Sequence, residues 1–193
     1  RHKNGNWIWL ETICSPVVSN EGNVRNLVFI TRDITERKQM QNQLERMAYI
    51  DFLTGIYNRR KLRMVMDETL EETSRNDESF ALLIMDLDKF KAINDTHGHD
   101  IGDLVLKEFA NRLLSCKRAS DVVGRLGGDE FSVVMRAIDG MDDIAGFLRH
   151  FQRALMEPYR IPQSGSAIHI RTSVGFSIFP KHGATIRSLF KHA

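Results

Sequence analysis

The chain has 193 residues, enough for one well-packed core with a small appendage. Its apolar fraction of 42% and charged fraction of 27% are those of an ordinary globular protein, and no apolar run has membrane-span length. A net charge of +2, with 27 basic residues scattered among 25 acidic ones, excludes a polyanion-binding stripe and disfavours a nucleic-acid polymer as partner.

There is no signal-peptide pattern, and Cys14 and Cys116 are too far apart for a metal-ligand spacing. They read as two reduced thiols in a cytoplasmic protein. The first residue is Arg1 and the last is Ala193, which reads as a piece of a longer parent; any membrane anchor of that parent would lie outside these residues.

In chain order, residues 6–14 and 24–32 are rich in aromatic and β-branched types and are predicted strands. The turn cluster Ser19-Asn20-Glu21-Gly22-Asn23 between them predicts an antiparallel hairpin. A lone hairpin is marginal, so Trp7 and Trp9 on one side and Ile8 and Leu10 on the other need cover. With the exit sequence Arg32-Asp33-Ile34-Thr35-Glu36-Arg37-Lys38, this segment resembles the last two strands of a PAS sensory domain. The resemblance implies that residues 1–35 are the C-terminal part of such a domain, with its ligand pocket upstream.

Residues 33–50 carry strong helix formers and no Gly or Pro. Met40, Leu44 and Met47 follow a 4,3 spacing, one heptad of seam. Residues 36–50 are therefore a linker helix, either paired with a second copy or an ordinary amphipathic connector.

From Asp51 to Ala193 the pattern is that of one α/β domain. Asn58 is expected to cap a helix running to about Thr73, with Leu62, Val65, Met66 and Leu70 as its apolar stripe. Phe80–Asp86 reads as a strand covered on both faces, and Ile101–Leu113 as a helix. Asp121–Leu126 and Phe131–Met135 are the arms of a hairpin around Gly127-Gly128. Ile144–Glu157 is a further helix, Ile168–Ile178 one more strand, and Thr185 opens a last helix that the sequence end cuts short.

Two acidic clusters carry the chemistry. Asp129 and Glu130 follow the Gly-Gly turn, and Asp86-Leu87-Asp88 closes a strand that should be central. Carboxylates gathered from two strand ends make a hard oxygen site suited to magnesium, with nucleotide phosphates completing its shell. Lys89-Phe90 offers amides at a helix start and Lys91 a cation, both favourable for phosphate. Asn94 supplies paired donor and acceptor groups, and Asp103 suits the adjacent N–H donors of guanine. Each has a plain structural alternative: a solvated lysine, an Asn94-Asp95 turn, a first-turn helical aspartate. His97 and His99 read as turn residues.

Four motifs occur in order: Asp51-Phe52-Leu53-Thr54-Gly55-Ile56-Tyr57-Asn58-Arg59-Arg60; Asp86-Leu87-Asp88-Lys89-Phe90-Lys91 with Asn94-Asp95; His97-Gly98-His99-Asp100 with Asp103; and Gly127-Gly128-Asp129-Glu130-Phe131. Together with Ser173-Val174-Gly175 and Pro180, they resemble the GGDEF diguanylate cyclases over residues 50–193. The resemblance implies an α/β (α+β), palm-like sheet related to nucleotide cyclases, and condensation of two GTP into cyclic di-GMP with release of pyrophosphate. It implies Asp86, the Leu87 carbonyl and Asp129 as holders of Mg2+ (or Mn2+), with Asp129 and Glu130 catalytic. Phe90, Lys91, Asn94, Asp103, Gly127 and Gly128 would bind GTP. It further implies a homodimer, since one protomer offers half a site.

Arg118 and Asp121, an Arg-x-x-Asp pair six residues before Gly127, resemble the family's inhibitory cyclic di-GMP site; the plain alternative is a local ion pair. The family's last helix normally continues past the Leu189-Phe190-Lys191-His192-Ala193 end seen here, so weak or absent activity of these residues alone is an expectation. Glu157-Pro158-Tyr159-Arg160-Ile161 and the strand after it resemble GGDEF domains that precede EAL phosphodiesterases. This leaves a second reading, a catalytically silent module that binds GTP or cyclic di-GMP and controls its neighbour.

Overall fold

The structure is a computed structural model that describes all residues except 1–4, 6, 19, 21, 162–164 and 166. It divides into two compact units, Arg1–Met47 and Ala48–Ala193.

In the first unit β1 (Leu10–Val18) and β2 (Val24–Asp33) pair antiparallel, and α1 (Thr35–Tyr49) begins at its end. The predicted hairpin is present, but its first strand lies four residues later than residues 6–14. Trp9 explains the shift. Its amide donates to Thr35 Oγ1 at 2.9 Å and its carbonyl accepts from Ile34 N at 2.9 Å, so it serves the helix start. Asp33 Oδ1 accepts from Thr35 N at 2.8 Å, which caps the same turn. The predicted Ser19–Asn23 turn lies partly outside the described residues. Every residue of β2 is exposed, and so are Met40, Leu44 and Met47 of α1.

The second unit holds a five-stranded sheet in the order β3-β5-β6-β4-β9, made of β3 (Tyr57–Asn58), β4 (Phe80–Leu87), β5 (Val122–Gly127), β6 (Glu130–Met135) and β9 (Thr172–Phe179). Only the β3–β5 pair is parallel. Five helices accompany it: α2 (Arg59–Asn76), α3 (Phe90–His97), α4 (His99–Cys116), α5 (Met141–Met156) and α6 (Ile186–His192).

Strand alternation sorts the core into two layers. Ala81, Leu83, Met85 and Leu87 of β4, with Phe131, Val133 and Met135 of β6, pack on Phe109 of α4 and Phe151 of α5. Phe80 and Leu82, with Val134, face Leu62 and Met66 of α2 and Leu189 of α6. Phe109 meets Phe131 at 4.7 Å and Phe151 at 5.3 Å between ring centroids. A fully buried ring of this kind contributes roughly 1.5–3 kcal/mol. Phe131 therefore anchors the strand that begins at Glu130.

The expected helices are found. Asn58 caps α2 by accepting from Lys61 N at 3.0 Å, and Thr185 with Ser188 forms a capping box at α6. The expected strand 168–178 is two. Ala167–Ile168 (β8) pairs with Tyr159–Arg160 (β7), whereas β9 pairs with β4 from Leu87↔Thr172 onward. Arg171 lies between them and gives its carbonyl to Asp88 N at 3.0 Å, where the chain changes partner. Among the described residues no helix is long and apolar enough to cross a membrane.

Candidate active site

The Gly-Gly turn is placed beside the end of β4 by the sheet register. Asp86 stands opposite Glu130, and Leu87 N donates to the Asp129 carbonyl at 3.3 Å. Gly127 (φ +147) and Gly128 (φ +55) take left-sided backbone angles that a side chain would strain. By alternation Asp86 and Glu130 lie on the sheet face covered by α2 and α6, since their neighbours Met85, Leu87 and Phe131 point into the other layer.

Like charges directly opposite one another on a sheet repel. Burial pushes the Asp86 carboxyl above its ordinary value, and the charges of Asp129, Glu130 and Asp88 push it further. The Asp86 carboxylate thus lies in the field of three others, a charge that a hard divalent ion with oxygen ligands would relieve. Among the described residues no three of His, Cys, Asp and Glu already stand at a common metal-ligating spacing. Two carboxylates and a backbone carbonyl from the protein, with phosphate oxygens from a substrate, are what such an arrangement can provide. Ser173 Oγ donates to Asp88 Oδ1 at 2.7 Å, which holds Asp88 against β9.

The guanine-reading candidates meet between α3 and α4. A Cβ at Gly102 would overlap Asn94 Oδ1 and stand 3.2 Å from the Phe90 ring. Phe90, Asn94 and residue 102 are therefore in direct apposition, and Asp103 is the exposed residue that follows. Lys91 is exposed on the first turn of α3.

Arg118 and Asp121 are close but are not paired through their side chains. The Arg118 guanidinium is bonded to the Asp143 carboxylate of α5, which raises the arginine pKa and lowers that of Asp143. Asp121 is buried; its Oδ2 accepts from Arg118 N at 2.9 Å and its Oδ1 has no partner.

Sequence reasoning missed the clamp behind the turn. Arg125 Nε and Nη2 donate to the Gly128 carbonyl at 2.8 and 2.6 Å, and Nη1 reaches Asp51 Oδ1 at 3.2 Å. Asp51 Oδ1 also accepts from Thr54 N at 2.9 Å and Thr54 Oγ1 at 2.6 Å. Burial acts to raise the Asp51 pKa, but the Thr54 bonds and the Arg125 charge outweigh it and hold the carboxyl below its usual range. Asp51 and Thr54 stand in the first quoted motif, and Arg125 lies two residues before the Gly-Gly turn. Their mutual contact, across about seventy residues, has no local signal.

A three-layer α/β domain with an acidic hairpin turn at the end of an interior strand is thus defined. Residues 48–193 match the family described as diguanylate cyclase, GGDEF domain. The chain belongs to the GGDEF family. It is 36% identical over 159 residues to the bifunctional diguanylate cyclase/cyclic di-GMP phosphodiesterase MucR of Pseudomonas aeruginosa, covering 82% of this chain and 23% of MucR. It is 37% identical over 161 residues to the response regulator PleD of Caulobacter vibrioides, covering 81% of this chain and 34% of PleD. Among solved structures, the GGDEF domain of YfiN from Pseudomonas aeruginosa is similar at 32% identity and a TM-score of 0.71, covering 74% of this chain and 83% of that one. The chain spans 23% and 34% of the length of these two curated relatives.

Proposed function

We propose that residues 48–193 act as a diguanylate cyclase, condensing two GTP molecules into one cyclic di-GMP and two pyrophosphates. The observation that carries this reading is the gathering of Asp86, Asp88, Asp129 and Glu130 around one register position, with the repulsion that raises the Asp86 pKa. In this reading Asp86, the Leu87 carbonyl and Asp129 hold Mg2+ or Mn2+. When bound, the cation draws charge from the α-phosphate and from the departing diphosphate. Glu130, carried on the same turn, is assigned as the base that takes the 3′-hydroxyl proton. Phe90, Lys91, Gly127 and Gly128 line the phosphates, and Asn94 and Asp103 bond the guanine edge. The test is incubation of the full-length parent protein with GTP and magnesium, followed by product analysis. Cyclic di-GMP is expected; GTP bound without turnover would refute the cyclase reading.

Each GTP needs its 3′-hydroxyl set against the α-phosphate of the other, so the proposed enzyme works as a homodimer with the two substrates antiparallel. Met40, Leu44 and Met47, 61%, 64% and 76% exposed, form an apolar seam on α1 that supports pairing of two linker helices. We read residues 1–35 as the C-terminal part of a PAS domain, 36–50 as the linker and 51–193 as the catalytic domain, in a cytoplasmic setting. The cyclic di-GMP phosphodiesterase PdeR of Escherichia coli, 29% identical over 177 residues, supports a second reading, a silent GGDEF module that binds GTP or cyclic di-GMP and governs an EAL neighbour.

Gly102 tests the guanine assignment. Gly102→Ala must displace the Asn94 side chain, and loss of one base contact is worth about 1–3 kcal/mol. The KM for GTP should rise about tenfold or more with a smaller change in kcat. An unchanged KM would remove Asn94 from the base-reading role.

Product inhibition is proposed at Arg118 and Asp121. Arg118 must leave Asp143 to bond a nucleotide, so Asp143 and the nucleotide compete for one guanidinium. Titration calorimetry with cyclic di-GMP should show binding weakened by Arg118→Ala and tightened by Asp143→Asn. Equal affinities in all three proteins would overturn the assignment.

A further inference from the structure

Two cavities lie on the α4/α5 side of the sheet, and nothing above uses them. The first, of about 580 Å³, runs between α5 and the chain that leads from β8 into β9. Leu148, Phe151, Leu155, Ile170 and Val174 give it an apolar lining, with Met156, 73% exposed, at its mouth. The second, of about 630 Å³, lies between the same chain and α3, with Lys89, Ile93 and His97 on its wall. Asp88, His169 and Arg171 line both cavities, so these residues stand where the two meet.

Lys89 and Arg171 are exposed, and neither makes an ion pair or a side-chain hydrogen bond among the described residues. The carboxylate between them, Asp88, is half-buried and accepts from Ser173 Oγ at 2.7 Å. Two free cations therefore face one engaged carboxylate, and the junction carries a net positive charge. An apolar volume with a positive rim selects an anion attached to an apolar body. A hydrated phosphate would gain nothing from Phe151 and Leu155, and an uncharged apolar solute nothing from Arg171. A guanidinium fork bonds a carboxylate in two places. Sites for single small molecules enclose about 300–1,000 Å³, so the first cavity suits one molecule rather than a lipid surface.

The wall of this groove is bonded to the acidic site. The Arg171 carbonyl accepts from Asp88 N at 3.0 Å, and Thr172 Oγ1 donates to the Asp86 carbonyl at 2.8 Å. With the Ser173 bond, three successive residues of one wall hold Asp86 and Asp88.

We propose that the groove binds an amphipathic monocarboxylate, its acid group on Arg171 and its apolar body against Phe151 and Leu155. The bound acid steadies the Arg171–Ser173 segment, and with it Asp86 and Asp88. Neither part rests on the cyclase reading.

The experiment titrates decanoate, below its micelle-forming concentration, into the full-length parent protein, with calorimetry and amide hydrogen exchange as readouts. Arg171→Gln removes the fork, and Met156→Glu sets a carboxylate at the apolar mouth; each should weaken binding at least fivefold. Both side chains are exposed, so both variants should melt with wild type, which excludes misfolding as the cause. Acetate has the head without the body, and decyltrimethylammonium the body with the opposite charge. Each should bind at least tenfold more weakly than decanoate. Exchange of the Asp88 amide should slow about tenfold when decanoate stands at ten times its Kd. No decanoate binding, or binding by both variants equal to wild type, overturns the site. Acetate as tight as decanoate overturns the apolar subsite, and decyltrimethylammonium as tight overturns the role of Arg171. Unchanged Asp88 exchange with decanoate bound overturns the link to the acidic site.

Discussion

Asp129→Ala is expected to abolish cyclic di-GMP formation while leaving the protein folded. A bound divalent ion supplies several kcal/mol of transition-state stabilisation, and each ~1.4 kcal/mol is a factor of ten, so the loss should be about a thousandfold or more. The side chain sits at a hairpin tip whose backbone contacts are made by the Asp129 carbonyl and by Gly128, neither of which the substitution removes. Asp86→Asn should lose activity to a similar extent, without loss of stability. The Asp86 carboxyl is raised by burial and by three neighbouring charges, so its ionised form destabilises the metal-free fold. That destabilisation is fully present above its folded pKa and is relieved as pH falls through it. The Asn variant should accordingly melt no lower than wild type at neutral pH without metal, and higher if the repulsion dominates. Cation binding competes with protonation of the same group, so activity should fall on acidification at a higher pH than an ordinary carboxylate would set. Melting curves with and without magnesium, beside the pH profile of turnover, measure all three. Retained turnover in Asp129→Ala would remove the residue from the metal site.

The elements that hold this site were legible because each carries a local signal. Asn58 before an apolar stripe, Thr185 with Ser188, and the Gly-Gly pair between two apolar arms each fix a boundary within a few residues. The juxtaposition of Asp86 with the acidic turn was legible too, since a hairpin must pair with an available neighbouring strand. Long-range choices were not. The Trp9 backbone could have joined the β-ladder, and only its bonds to Ile34 and Thr35, distant in sequence, decide otherwise. Residues 168–178 have unbroken strand character, and the switch of partner at Arg171 depends on Asp88, about eighty residues earlier. Arg118 illustrates the same limit inside the candidate site. The Arg-x-x-Asp spacing suggests that its two members pair, yet Asp143 of α5 takes the guanidinium and Asp121 turns to the backbone. Sequence spacing predicts neighbours along the chain; competition among partners is settled by packing.

Arg125→Ala is expected to be among the most destabilising single changes in the domain, and to impair the turn without touching any proposed ligand. The side chain and its partner Asp51 are only 12% and 16% exposed, so their pairing is shielded from solvent. Truncating Arg125 leaves Asp51 without its cation and the Gly128 carbonyl without two donors. Breaking a buried pair costs about 3–5 kcal/mol, and partial exposure here brings the expected loss to roughly 2–3 kcal/mol. For a domain of this size that lowers Tm by about 5–10 °C. The pH dependence has a definite sign. The Asp51 pKa is lowered in the fold, so its contribution is present above the unfolded value and is lost as pH falls through the folded one. The gap in stability between wild type and Arg125→Ala should therefore narrow below about pH 4. Arg125→Lys keeps the charge but cannot span Gly128 and Asp51 with one planar fork, and should fall between the two. A double-mutant cycle with Asp51→Ala isolates the pair; a coupling of about 1–2 kcal/mol is expected for residues in direct contact. Additive effects would mean that Arg125 acts on the turn alone. Because the clamp joins the Asp51–Thr54 loop, directly after the linker helix, to the carbonyl between Gly127 and Asp129, its loss should lower kcat more than it raises KM. The Asp51–Thr54 loop would then be mechanically continuous with the acidic turn through the Arg125 side chain.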